Sequence, residues 1–140
     1  MSETMNLQQL PETMVLHRAL WAGQIMSALV VIALVADGTF QLFAPAQIAS
    51  LLQETGFAMD LTRVLGPIIL ACAILYAIPA TAVLGAILVT GFLGGAICAH
   101  VRIGELGSAP EIIALLLGAM TWAGLYARDA RIRAILPFIR

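Results

Sequence analysis

Residues 64–99 form a run of 36 positions without one charged side chain. As a single helix that run would measure about 54 Å, nearly twice the ~30 Å hydrocarbon thickness of a bilayer. Inside a soluble domain it would need a core that a 140-residue chain cannot build. At this size roughly 30% of the unfolded chain's surface stays wet after folding. The whole composition agrees: 61% of residues are hydrophobic and 11% charged, with a mean hydropathy of +1.00. Soluble domains run near 45–50% apolar and about 25% charged. The chain therefore reads as all-α, a membrane-embedded four-helix bundle with short interfacial helices.

Three uncharged runs carry the spans, at residues 19–36, 64–99 and 112–127. Pro79 divides the middle one, because proline lacks the N–H a helix interior needs but suits a first turn. The predicted spans are then 19–36, 63–78, 80–100 and 111–127, with Pro110 opening the last. Residues 18–140 form one transmembrane domain, and residues 1–17 form a polar, loosely ordered segment. The first span is expected to be retained as a helix. It follows Glu3 and Glu12 rather than a basic start, and no A-x-A site precedes Asp37. Two amphipathic elements lie outside the spans. Residues 45–55 place Ile48, Leu51 and Leu52 on one helical face, with Gly56 as a C-cap. The tail spaces Ile132, Ile135 and Leu136 in the same way, with Asp129 paired to Arg133 at i,i+4.

The third span contains Ala82, Ala86, Thr90, Gly94 and Cys98 at four-residue intervals, beside Gly91, Gly95 and Ala99. In lipid, helices gain little by hiding apolar surface from one another, and small residues that permit close backbone approach drive packing. The stripe predicts that this span sits at the bundle centre, with Gly91, Gly94 and Gly95 as packing residues. Cys72 and Cys98 read as small buried residues. Tyr76, Trp122 and Tyr126 read as members of an aromatic belt at helix ends.

Four spans put both termini on one side, with Arg18, Arg128, Arg131, Arg133 and Arg140. The other side has Arg63 and Arg102. The positive-inside bias then places both termini in the cytoplasm of a bacterial-type inner membrane. The remaining ionisable groups gather at the opposite end: Asp37, Asp60, Arg63, His100, Arg102, Glu105 and Glu111. Two readings compete there. One is a solvated rim with ion pairs such as Arg102 with Glu105. The other is a polar pocket built from Asp37, Arg63, His100, Arg102 and Glu111, with His100 as a proton carrier. The sequence has no metal-binding, haem-attachment, phosphate-loop or nucleophile-elbow motif. A net charge of −1 excludes a nucleic-acid partner of the usual electrostatic kind.

The segment IPATAVLGAILVTGFLGGAICAHVRIGE, residues 78–105, strongly resembles the DoxX-like family of small four-helix membrane proteins. Residues 27–43, 66–79 and 122–137 resemble the same family in the same order. The resemblance implies the four-helix fold and, through the family's association with a thiosulfate:quinone oxidoreductase, a possible quinone cofactor. Family members commonly have Lys where Gln41 stands, Glu where Ile69 stands and Arg where Ala80 stands. These departures strip polar groups from the bundle and weigh against a quinone-reducing role. Asp37, His100 and Arg102 match.

Three function classes follow. The first is a non-catalytic subunit or assembly partner of a membrane complex, meeting another membrane or redox protein or a second copy of itself. The second is a quinone- or thiol-linked oxidoreductase subunit. The third is a small-solute transporter, which would need an oligomer to form a pathway.

Overall fold

The computed structural model describes residues 9–43, 56 and 58–135. Helix α1 is Gln9–Phe43, and a single 3-10 turn at Met59–Leu61 leads into α2, Thr62–Ala77. Helix α3 is Ala82–Arg102, α4 is Ala109–Arg128, and a short α5 covers Ala130–Ile135. No strand occurs among the described residues.

The four long helices form a closed ring. Helix α1 packs against α2 and α4, and α3 packs against the same two from the opposite corner. Side chains at i, i+3, i+4 and i+7 supply the core. Ile69, Cys72, Ala73 and Tyr76 come from α2, and Ala82, Ala86, Val89 and Leu93 from α3. Val30 and Leu34 of α1 and Ala114 and Leu125 of α4 complete it. The outer surface is apolar as well: Ile32 is 63% exposed, and Leu115 and Leu116 are each 57% exposed. A water-facing bundle would spread that surface against solvent at a cost of about 25 cal/mol per Å2. Lipid removes the cost.

Three helical stretches, His17–Phe43, Ala82–Arg102 and Ala109–Arg128, are long and apolar enough to cross a bilayer. Helix α2 has only 16 residues, or about 24 Å. It lies antiparallel to α1 over its full length, since Gly66 meets Leu42 at one end and Tyr76 meets Ser27 at the other. The exposed positions 64, 68 and 74 continue the lipid-facing surface across it.

Several expectations are corrected. Helix α1 is already formed at Gln9, well before residue 19, and continues through Asp37 to Phe43. Absence of charge marks the part of a helix that crosses lipid, whereas polar side chains extend a helix without penalty. At its N-terminal end Trp21 donates Nε1–H to His17 Nε2 at 3.0 Å, an i,i+4 contact that fits a helix. Pro79 does not open α3. Ile78 takes the extended backbone favoured before proline, φ −80° and ψ 121°. The chain then needs three more residues to reverse, with Thr81 Oγ1 donating to the Leu75 carbonyl at 2.8 Å.

Nor does α3 occupy the bundle centre. It is one corner of the ring, and only Ala82, Gly85, Ala86, Val89, Leu93 and His100 of it are buried. Asp129 pairs with Arg131 at 3.1 Å instead of Arg133, and Arg133 caps the Tyr126 and Ala127 carbonyls. Cys72 is buried as expected, but Cys98 is exposed. Residues 45–55 lie outside the described residues. Gly56 after them adopts φ +70°, a left-handed conformation suited to glycine.

Candidate functional site

Antiparallel packing brings Asp37, Arg63, His100, Arg102 and Glu111 to the same end of the bundle, where several of them make local contacts of their own. Asp37 accepts a hydrogen bond from Gln41 one turn along α1 at 3.0 Å. Arg63 is exposed at the start of α2. His100 is buried at the end of α3, and its Nδ1 lies 2.7 Å from Glu105 Oε2. Glu105 thus pairs with His100 rather than with Arg102. The Glu105 N–H also bonds the His100 carbonyl at 3.1 Å, so the pair closes the α3–α4 loop. Glu111, in the first turn of α4, is buried and accepts the Gly107 N–H at 2.6 Å. Its carboxylate satisfies a loop donor and sits favourably at a helix N-terminus. The guanidinium of Arg102 lies beside Gly56. Among the described residues, no group of three or more His, Cys, Asp or Glu could hold a metal.

Gly91, Gly94 and Gly95 sit on the outer surface of α3. A Cβ built on any of the three would meet nothing within 4 Å. Among the described residues they therefore pack against no other helix. Thr90 on the same side is strapped to α4, because Trp122 Nε1–H donates to its hydroxyl at 2.9 Å. Cys98 continues the row at i+7 from Gly91. The close approaches fall on other glycines. A Cβ on Gly23 would stand 2.8 Å from Ala127 Cβ, and one on Gly85 would strike the backbone of Tyr76.

The feature that sequence reasoning missed is a buried polar hub near the end that bears the termini. Tyr76 is fully buried rather than part of an aromatic belt. Its hydroxyl donates to the Thr121 carbonyl at 2.8 Å and lies 3.0 Å from Ser27 Oγ. Three helices are thereby joined through one side chain. Gly124 makes room for the contact, since a Cβ there would come within 2.8 Å of Ser27 Oγ. The Tyr76 carbonyl, near the open end of α2, accepts Arg128 Nη2–H at 3.0 Å. The Arg128 guanidinium carbon also stands 5.0 Å from the Tyr76 ring centroid, within cation–π range. Arg131 donates to the Pro79 carbonyl at 3.2 Å. Three of the arginines thus cap the C-terminal ends of α2 and α4 and the turn after α2, where orphan carbonyls and the helix dipole both favour cations. The available signal was a tyrosine hydroxyl inside an uncharged run, since a buried Tyr O–H almost always has a partner.

Comparison with curated proteins and with solved structures gave no match. The sequence profile of the DoxX-like family does match, over residues 25–124. That stretch begins just before Ser27, ends at Gly124 and contains α2, α3, the α3–α4 loop and Tyr76. The chain is an integral membrane protein of the DoxX-like family.

Proposed function

We propose that this chain is a non-catalytic subunit or anchoring partner of a membrane complex, and that α3 is the helix through which it meets its partner. The observation that carries this reading is the bare outer face of α3. Each glycine in a helix interior costs about 1 kcal/mol relative to alanine. Gly91, Gly94 and Gly95 incur that cost at positions where even an added Cβ would meet nothing within 4 Å among the described residues. Glycines spaced this way let a second transmembrane helix approach closely enough for backbone contact, which is how helices associate in lipid. At the far end, His100, Glu105 and Glu111 are engaged in local pairs that close a loop. We read that end as a solvated rim with structural bonds, not as a convergent pocket. We take the membrane to be a bacterial-type inner membrane, and the arginine bias supports a topology with both termini on its cytoplasmic side.

The test is capture of the tagged chain from its native membranes in mild detergent, comparing wild type with Gly94→Leu. A partner, or a second copy, is expected to be recovered with wild type and lost with Gly94→Leu, while the variant alone melts no lower than wild type. Wild type recovered alone as a monomer, or undiminished recovery with Gly94→Leu, overturns the reading.

A further inference from the structure

A groove runs along the seam between α1 and α2 at the arginine-rich end, on a different face from the α3 glycines. Its volume is about 320 Å3. Ala28, Val31 and Ile32 of α1 and Ala77 of α2 form its apolar walls, and Gln24, Ser27 and Arg128 line its polar end. Gln24, Ala28, Ile32 and Ala77 are exposed on the outside of the bundle, so the groove opens toward lipid. From Gln24 to Ile32 it extends about 12 Å along α1, from the depth of Arg128 into the apolar zone.

Its polar end lies in positive surroundings. Arg18, Arg128, Arg131 and Arg133 belong to that end, against the acidic residues Glu12 of α1 and Asp129. Asp129 is already paired with Arg131. Arg128 uses Nη2 on the Tyr76 carbonyl, yet its buried Nε has no hydrogen-bond partner. A buried guanidinium N–H without an acceptor is costly and uncommon. A cation with spare donors, at the mouth of an apolar groove open to lipid, matches an ionised phosphate attached to an acyl chain. Gln24 and Arg128 both fall outside the stretch matched by the family profile, residues 25–124.

We propose that this groove binds one anionic phospholipid. The headgroup phosphate accepts from Arg128 and Gln24, and an acyl chain lies along Ala28, Val31 and Ile32. A small turn of the Arg128 side chain brings Nε to the phosphate while the Tyr76 carbonyl keeps one N–H. The bound lipid would seal the α1–α2 seam, the side of the ring held by the shortest long helix.

The experiment is thermal unfolding of the purified full chain in neutral detergent. It is repeated with added phosphatidylglycerol, with phosphatidylcholine, and with inorganic phosphate alone. Phosphatidylglycerol is expected to raise the melting temperature of wild type, and the other two to leave it unchanged. Ala28→Phe fills the groove without touching Arg128. It should keep the lipid-free melting temperature and weaken phosphatidylglycerol binding by about tenfold or more. Should that variant fail to fold, Ala77→Leu fills the opposite wall and carries the same expectation. Arg18→Gln, which removes a nearby charge outside the groove, should respond to phosphatidylglycerol as wild type does. An equal response to phosphatidylcholine, an effect reproduced by inorganic phosphate, or full stabilisation of both groove-filled variants would overturn the proposal.

Discussion

Tyr76 shows how one side chain can set the geometry of a bundle whose driving force is weak. Its hydroxyl links α2 to Ser27 of α1 and to the Thr121 carbonyl of α4. Tyr76→Phe keeps the ring and leaves both partners without that bond, so it should destabilise the chain by about 1–3 kcal/mol. Unfolding of the two proteins in the same detergent measures this, and equal stability would mean that the hub contributes nothing. Asp129 makes a pH-dependent prediction. Hydrogen bonding from Arg131 holds its carboxyl below the ordinary 3.8, outside the membrane-spanning part of the chain. A depressed folded-state pKa contributes stability that is present above 3.8 and lost as pH falls through the lower folded-state value. Wild type should therefore melt above Asp129→Asn at neutral pH, and the gap should close as the pH drops below 3.8. A gap that persists at low pH would assign the effect to something other than the carboxylate charge. The sequence made the charges of residues 128–133 visible but not their partners. Asp129 reaches Arg131 because the helix breaks at Asp129, whose extended backbone lets its carboxylate accept the Arg131 N–H at the start of α5, and Arg133 is drawn to the carbonyls that the break exposes.

At the scale of elements, the number, order and polarity of the helices were legible because a bilayer permits few alternatives to an uncharged run. Helix ends were less legible. The helical stretch before residue 19 and the three-residue reversal after Ile78 depend on backbone bonding that hydropathy does not encode. The glycines were the least legible, because spacing alone does not say which face of a helix turns inward. Gly85 and Gly91 illustrate the difference. The first abuts the Tyr76 backbone and the second faces open space. Gly85→Ala should lower the stability of the isolated chain by about 1–3 kcal/mol through overpacking. Gly91→Ala should raise it by up to about 1 kcal/mol through helix propensity. Opposite signs in one unfolding assay are the expected outcome, and matching signs would mean that the assigned face of α3 is wrong.

At the scale of the molecule, the bundle is a ring with distinct surfaces. One end holds the loop-closing pairs of His100 and Glu111, and the other holds the arginine caps. Between them, all four long helices present large apolar side chains to lipid, on α3 chiefly Leu84, Ile87 and Leu88, and α3 alone adds an outer patch of Gly91, Gly94 and Gly95. The predicted pocket residues were correctly placed at one end by counting helices, since each span reverses the chain. Whether they converge was not legible, because that depends on loop residues such as Glu105 and Gly107.

The central claim is that the glycine face of α3 meets protein in the native membrane whereas the other faces meet lipid. Cys98 lies on that face and is exposed, while Cys72 is buried, so a thiol-reactive photocrosslinker can be placed there selectively. Leu116 of α4, 57% exposed, supplies the control as Leu116→Cys in a Cys98→Ala background. Illumination in native membranes should give one discrete protein adduct from position 98 and only lipid adducts from position 116. An adduct at twice the 14.8 kDa chain mass would identify the partner as a second copy. Lipid adducts alone from both positions would contradict the account.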